Sequence, residues 1–138
     1  MRSFCLTTLL LITLYSCQNK TRQLLEKKWD CIKIENLDPV KNIPFDTPED
    51  SATASKLENS LTELNWTFNS DHSYQCRVGD KITTRGTYML SENEKNLVCT
   101  PDSKNTVNQY TINSLTEDEL VLSSRVNNSN IILHFKPH

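Results

Sequence analysis

The chain has 138 residues, with 15 Lys and Arg against 17 Asp and Glu and a formal net charge of −2. There is no basic excess to draw nucleic acid, and past the first sixteen residues no apolar stretch approaches the ~20 residues that a membrane-crossing helix needs. A length of this order suits one domain with a core of its own.

The N-terminus reads MRSFCLTTLLLITLYSC. Arg2 is a positive start, and Phe4 to Leu14 is an apolar run whose only polar residues are Thr, the pattern of a secretory signal. Its end, Leu14-Tyr15-Ser16-Cys17, resembles the lipobox of bacterial lipoproteins: an aliphatic residue, a variable one, a small one, then Cys. Tyr15 is bulky for its slot, but the Ser16-Cys17 pair and the polar Gln18-Asn19-Lys20 that follow agree with the pattern. The resemblance implies a signal peptide over 1–16, a lipidated tether over 17–28 and Cys17 as the lipidation site. A diacylglycerol plus an N-terminal acyl chain such as palmitate would then hold the domain to the bilayer, since stable anchoring takes at least two signals. The expected address is the bacterial cell envelope. No acidic export tag follows Cys17, which favours the periplasmic face of the outer membrane. The part left after residue 16 has 122 residues and a net charge of −3, since only Arg2 is lost from the charged set.

Gln18 to Lys28 is polar, with a helical turn expected around Leu24-Leu25. Trp29 to Glu35 reads as a first strand. Residues 36–63 form a loop and helix insertion: Pro39 and Pro44 mark the loop, Thr47 is an N-cap with Pro48 at N1 and acids after it, and Ala54, Leu57, Leu61 and Leu64 make one apolar helical stripe. From Leu64 onward the texture changes to seven short alternating runs, LNWTFN, SYQCRV, ITTRGTYML, NLVCT, TVNQYTINS, ELVLSSR and NIILHFK, parted by segments rich in Gly, Pro, Asn, Asp and Ser that suit turns. With the Trp29 run they make eight strands at roughly ten-residue spacing, the signature of a sandwich or barrel. The connections are hairpin-short apart from 36–63, so the strands form a meander that closes into an up-and-down barrel without edges. Only Gly79 and Gly86 are available to supply positive φ, so Asn and Asp must serve in several turns.

Alternation assigns the interior. Leu64, Trp66 and Phe68 share one phase; Tyr74, Cys76 and Val78 share the next; then Tyr88 and Leu90, Leu97 and Cys99, Tyr110 and Ile112, Leu120 and Leu122, and Ile131, Leu133 and Phe135. Val98, Val121, Ile132 and Ile34 fall on the opposite face. Cys31, Cys76 and Cys99 lie on the first, third and fifth strands. Strands two apart are separated by nearly 10 Å, beyond the ~7 Å Cα limit for a disulfide, so buried free thiols are expected, with a disulfide across the interior as the alternative in a flattened barrel.

Several segments together resemble the lipocalin-like domains of small Bacteroidetes-type lipoproteins: Leu25-x3-Trp29, Trp66-Thr67-Phe68-Asn69-Ser70-Asp71-x-Ser73-Tyr74, Gly86-Thr87-Tyr88-Met89-Leu90, Tyr110-Thr111-Ile112-x-Ser114-Leu115-Thr116, Leu120-Val121-Leu122-Ser123 and Leu133-His134-Phe135-Lys136. The likeness runs from 25 to 136. This chain has His72 and Lys28 where the family usually has Gly. The resemblance implies an all-β, eight-stranded antiparallel calycin-type barrel over 29–138 and says little about activity.

No catalytic constellation stands out. His72, His134 and His138 are scattered, no nucleophile is spaced with a base, and no ligand spacing for a metal or cofactor occurs; the chain reads as a non-enzyme. An eight-stranded barrel is either filled by its own side chains or holds one small ligand. Trp29, Trp66, Phe68, Tyr74, Tyr88, Tyr110, Leu122 and Phe135 are the residues that line or fill it. The readings are a binder of a small apolar molecule, a structural or protein-interaction lipoprotein with a filled barrel, and an enzyme or enzyme inhibitor, the enzyme requiring titratable residues clustered in a cleft. Asp50-Ser51-Ala52 also resembles the acceptor for periplasmic O-glycosylation, at Ser51.

Overall fold

Apolar–polar alternation of period two buries one face of each run, and closing the sheet on itself is what gives all of those faces a common interior. The computed structural model describes residues 20–36, 63–103, 105–126 and 128–138. The strands are β1 (Lys28–Glu35), β2 (Leu64–Phe68), β3 (Ser73–Val78), β4 (Lys81–Leu90), β5 (Asn96–Pro101), β6 (Asn108–Leu115), β7 (Leu120–Val126) and β8 (Ser129–Pro137). Each pairs antiparallel with the next, and β8 pairs with β1, giving a closed barrel in sequence order. The eight expected strands are all present. The predicted helix of the 36–63 insertion, Ser51 and Cys17 lie outside the described residues.

The two ends of the barrel differ. Residues 20–25 form a helical turn at the end where β1 begins. Leu25 is wholly buried beside Trp29, whose indole N–H donates to the Leu25 carbonyl at 3.0 Å. Around this plug, Arg22 pairs with Glu26 at 2.5 Å and donates to the Ser70 carbonyl, and Thr21 donates to Glu94. This is the closed end. The β1–β2 connection leaves from the opposite end, together with the turns at Gly79-Asp80 and around Asn128.

Turn chemistry matches the expectation in part. Asn36, Asn128 and Gly79 take positive φ, but so do His72 and Glu94, and among the described residues Gly86 does not. His72 holds a left-handed conformation at φ 66°, the geometry that glycine supplies without penalty, and its ring packs on Tyr88 at 5.9 Å. Gly86 serves a different need: β4 and β5 approach there so closely that a Cβ would strike the Thr100 carbonyl.

A β-bulge between Cys31 and Lys33 changes the phase of β1. One extra residue swaps the faces of everything after it, so Ile34 packs against the core instead of facing outward as strict alternation predicts. A second bulge, between Ile112 and Ser114, pairs Leu115 with Leu120.

Cys31, Cys76 and Cys99 are free and buried. Burial raises all three thiols, Cys76 and Cys99 to about 12. At pH 8 only roughly one molecule in ten thousand would carry either of the latter two as the reactive thiolate. A folded chain of residues 18–138, whose only cysteines are Cys31, Cys76 and Cys99, should therefore resist iodoacetamide, and unfolding in urea should expose three alkylation sites by mass spectrometry. Rapid labelling of the native protein would contradict this burial.

Candidate ligand-binding cleft

Most of the barrel is solid. Trp66 is the centre of the filling: its ring lies 5.9 Å from Phe68, 6.5 Å from Tyr74, 5.7 Å from Phe135 and 5.1 Å from Tyr110, the last edge-to-face at 80°. Phe68 continues the cluster to Tyr88 at 5.2 Å, and the Tyr88 hydroxyl donates to the Asn69 carbonyl at 2.9 Å. Trp29, Tyr88, Phe68, Phe135 and Leu122 are essentially inaccessible. Burial pushes the Tyr88 phenol up to about 12 and raises Tyr74 and Tyr110 above the ordinary phenol value. These groups stay neutral at physiological pH.

Above this filling, toward the end opposite the plug, lies a cleft of about 720 Å³, within the range of small-molecule sites. Its apolar wall comes from Ile34 of β1, Leu64 of β2, Tyr110 of β6 and Ile131 and Leu133 of β8, with Val107 at the rim. Asn96, Asn108, Gln109, Thr111, Ser123, Ser124, Arg125 and Asn130 supply the polar part.

Strand register explains why residues of both phases border one space. The β6–β7 ladder ends at Thr111↔Ser123. Beyond it, Asn108, Gln109 and Tyr110 pair only with β5, while Ser124 and Arg125 pair only with β8. The upper halves of β6 and β7 therefore splay apart. One side-chain bond spans the gap, from the Ser124 hydroxyl to the Gln109 carbonyl at 3.2 Å.

Of the eight side chains singled out from sequence, Tyr110 alone lines this cleft. The other seven belong to the packed core. The remaining lining is poorly legible in the sequence, because polar residues at strand ends read as turn flanks. One signal was available: Asn108 shares the phase of Tyr110, and Ser124 that of Leu122, so the inward face turns polar as it nears the mouth. Among the described residues no group of His, Cys, Asp and Glu could hold a metal ion, and no helix is long and apolar enough to cross a membrane.

A closed, eight-stranded antiparallel meander, plugged at one end and bearing a cleft toward the other, has the architecture of a calycin-type barrel. The chain belongs to the lipocalin-like domain family, whose model matches residues 25–122. Three solved structures share the fold. A DUF4847 family protein from Bacteroides vulgatus has a TM-score of 0.52 at 11% identity, over 82% of this chain and 93% of that one. A protein from Bacteroides uniformis gives 0.50 at 22%, over 85% and 91%. As-p18, an extracellular fatty acid binding protein, gives 0.51 at 13%, over 83% and 96%. No curated protein sequence matches the chain.

Proposed function

We propose that this chain is a membrane-anchored envelope lipoprotein whose barrel carries a small, largely apolar molecule without acting on it chemically. The observation that carries the reading is the cleft: an apolar inner wall under a polar rim, beside the packed aromatic core. A fatty acid binding protein among its fold neighbours supports the same reading. The aromatic filling confines any cargo to the upper part of the barrel, so the cargo is small.

Trp66 is a built-in reporter, since it touches Tyr110 and Tyr110 lines the cleft. Titrating Nile red, a neutral apolar dye, into the mature chain carrying Cys17→Ser should give saturable, one-to-one dye emission with a matching change in tryptophan fluorescence, measured again in Trp29→Phe to isolate Trp66. Linear, unsaturable dye uptake would reject the carrier and favour a structural or protein-interaction role.

The anchoring part of the proposal rests on Leu14-Tyr15-Ser16-Cys17. In cells fed labelled palmitate, the chain should take up label and its Cys17→Ser variant should take up none. Equal labelling of the variant would remove the anchor from the proposal.

A further inference from the structure

We infer that the molecule held in the cleft is an amphipathic anion, such as a medium-chain carboxylate, with its acid group at Arg125 in the gap between β6 and β7 and its tail against Ile34, Leu64, Tyr110, Ile131 and Leu133. This rests on the carrier reading and specifies its ligand.

Charge is the first argument. Arg125 is the one charged side chain among the described residues lining the cleft; the rest are apolar or neutral amides and hydroxyls. A site for a neutral apolar molecule needs no cation, and one for an amine would place a carboxylate there. Among the described residues no acid lies within ion-pair distance of Arg125, so its five N–H donors are available to a planar oxyanion.

Position is the second. Arg125 is on the phase opposite Ser124 and would face away from the interior if β6 flanked it. Pairing with β6 stops at Ser123, so the guanidinium can border the cleft through the gap. Asn130 is its register partner on β8 and also lines the cleft, adding an amide donor beside it. The apolar lining lies on the inner phase, and Asn108, Gln109, Ser124, Arg125 and Asn130 gather at the gap and mouth. This segregation fits a ligand with one wet end and one dry end, its head exchanging with solvent at the gap.

Decanoate and decanol separate head from tail. Binding of each to the mature chain carrying Cys17→Ser is read by tryptophan emission and by displacement of Nile red. The original side chain should bind decanoate more tightly than decanol. Arg125→Gln should weaken decanoate about fivefold, a discount from a buried ion pair because Arg125 is exposed. It should leave decanol unchanged, and Arg125→Lys should restore part of the loss. Raising NaCl to 0.5 M should weaken decanoate only where the cation is present. Equal decanoate affinity in Arg125→Gln, or a decanol preference in the parent, would overturn the anion assignment while leaving the carrier standing. Binding of neither compound, nor of Nile red, would overturn both.

Discussion

Replacing Trp66 with alanine should cost about 3–5 kcal/mol, the usual penalty for removing a large buried aromatic. Trp66 is 6% exposed and meets four aromatic rings at centroid distances between 5.1 and 6.5 Å. Its loss would remove its own apolar burial and also open a cavity that Phe68, Tyr74, Tyr110 and Phe135 border from different strands. Those rings are fixed to a closed sheet and have little freedom to collapse inward. Since a domain of this kind has only about 5–15 kcal/mol in total, the variant should sit near the edge of folding. Urea unfolding followed by circular dichroism should show the midpoint falling by more than about 1 M with the slope unchanged. Trp66→Phe, which keeps most of the ring contacts, should lose much less. A shift below about 0.5 M for the alanine variant would mean that the cluster is loosely packed.

Gly86→Ala should be comparably damaging through a different mechanism. Gly86 faces Pro101 across the β4–β5 ladder. A methyl group there would run into the Thr100 carbonyl and come within 2.9 Å of the Pro101 Cα. Both obstacles are backbone, held by neighbouring strand pairs and by the Asp102 N–H bonded to the Arg85 carbonyl at 2.9 Å. No rotamer change relieves the clash, so the strands must separate or slip, at about 3 kcal/mol or more. Gly79→Ala is the control. Gly79 has φ 59°, and its added methyl would meet only the end of the flexible Glu63 side chain at 3.0 Å, so the cost should stay near the ~1 kcal/mol of a left-handed non-glycine residue. Parallel urea titrations should rank Gly86→Ala far below Gly79→Ala. The reverse order would place the close approach elsewhere.

Those two glycines show where sequence stops being informative. Both are available to supply a positive φ, but only Gly79 takes one; the close approach at Gly86, inside a strand, depends on a partner strand fifteen residues away, which local pattern does not encode. The strands themselves were legible because a barrel interior imposes period-two alternation on each of them, and Trp66, Phe68, Tyr74 and Phe135 fall on the buried phase that alternation assigns. Ile34 escaped because a bulge adds a residue to one strand without a trace in composition. The cleft was mostly illegible for a related reason. It exists because β6 and β7 stop pairing above Thr111 and Ser123, and the end of a ladder is a property of two strands at once. Inward aromatic residues suit ligand lining, yet large rings are also what fills a small barrel best, and Trp29, Trp66, Phe68, Tyr74, Tyr88, Leu122 and Phe135 all lie in the core, leaving Tyr110 at the cleft.

The helical plug sets a direction for traffic. With Cys17 acylated as proposed, only three residue steps separate the lipid from Lys20, where the helical turn begins. That is a reach of at most ~11 Å. The plugged end must then lie against the bilayer, with the cleft at the far end of the barrel, pointing into the aqueous compartment. A fluorophore at the 116–119 turn should accordingly be quenched by brominated lipid more strongly than one at Asn128. Such a protein does not skim its cargo from the leaflet that holds it. It takes delivery from, or hands over to, something across the water: a soluble carrier, a second membrane, or a partner that docks mouth to mouth.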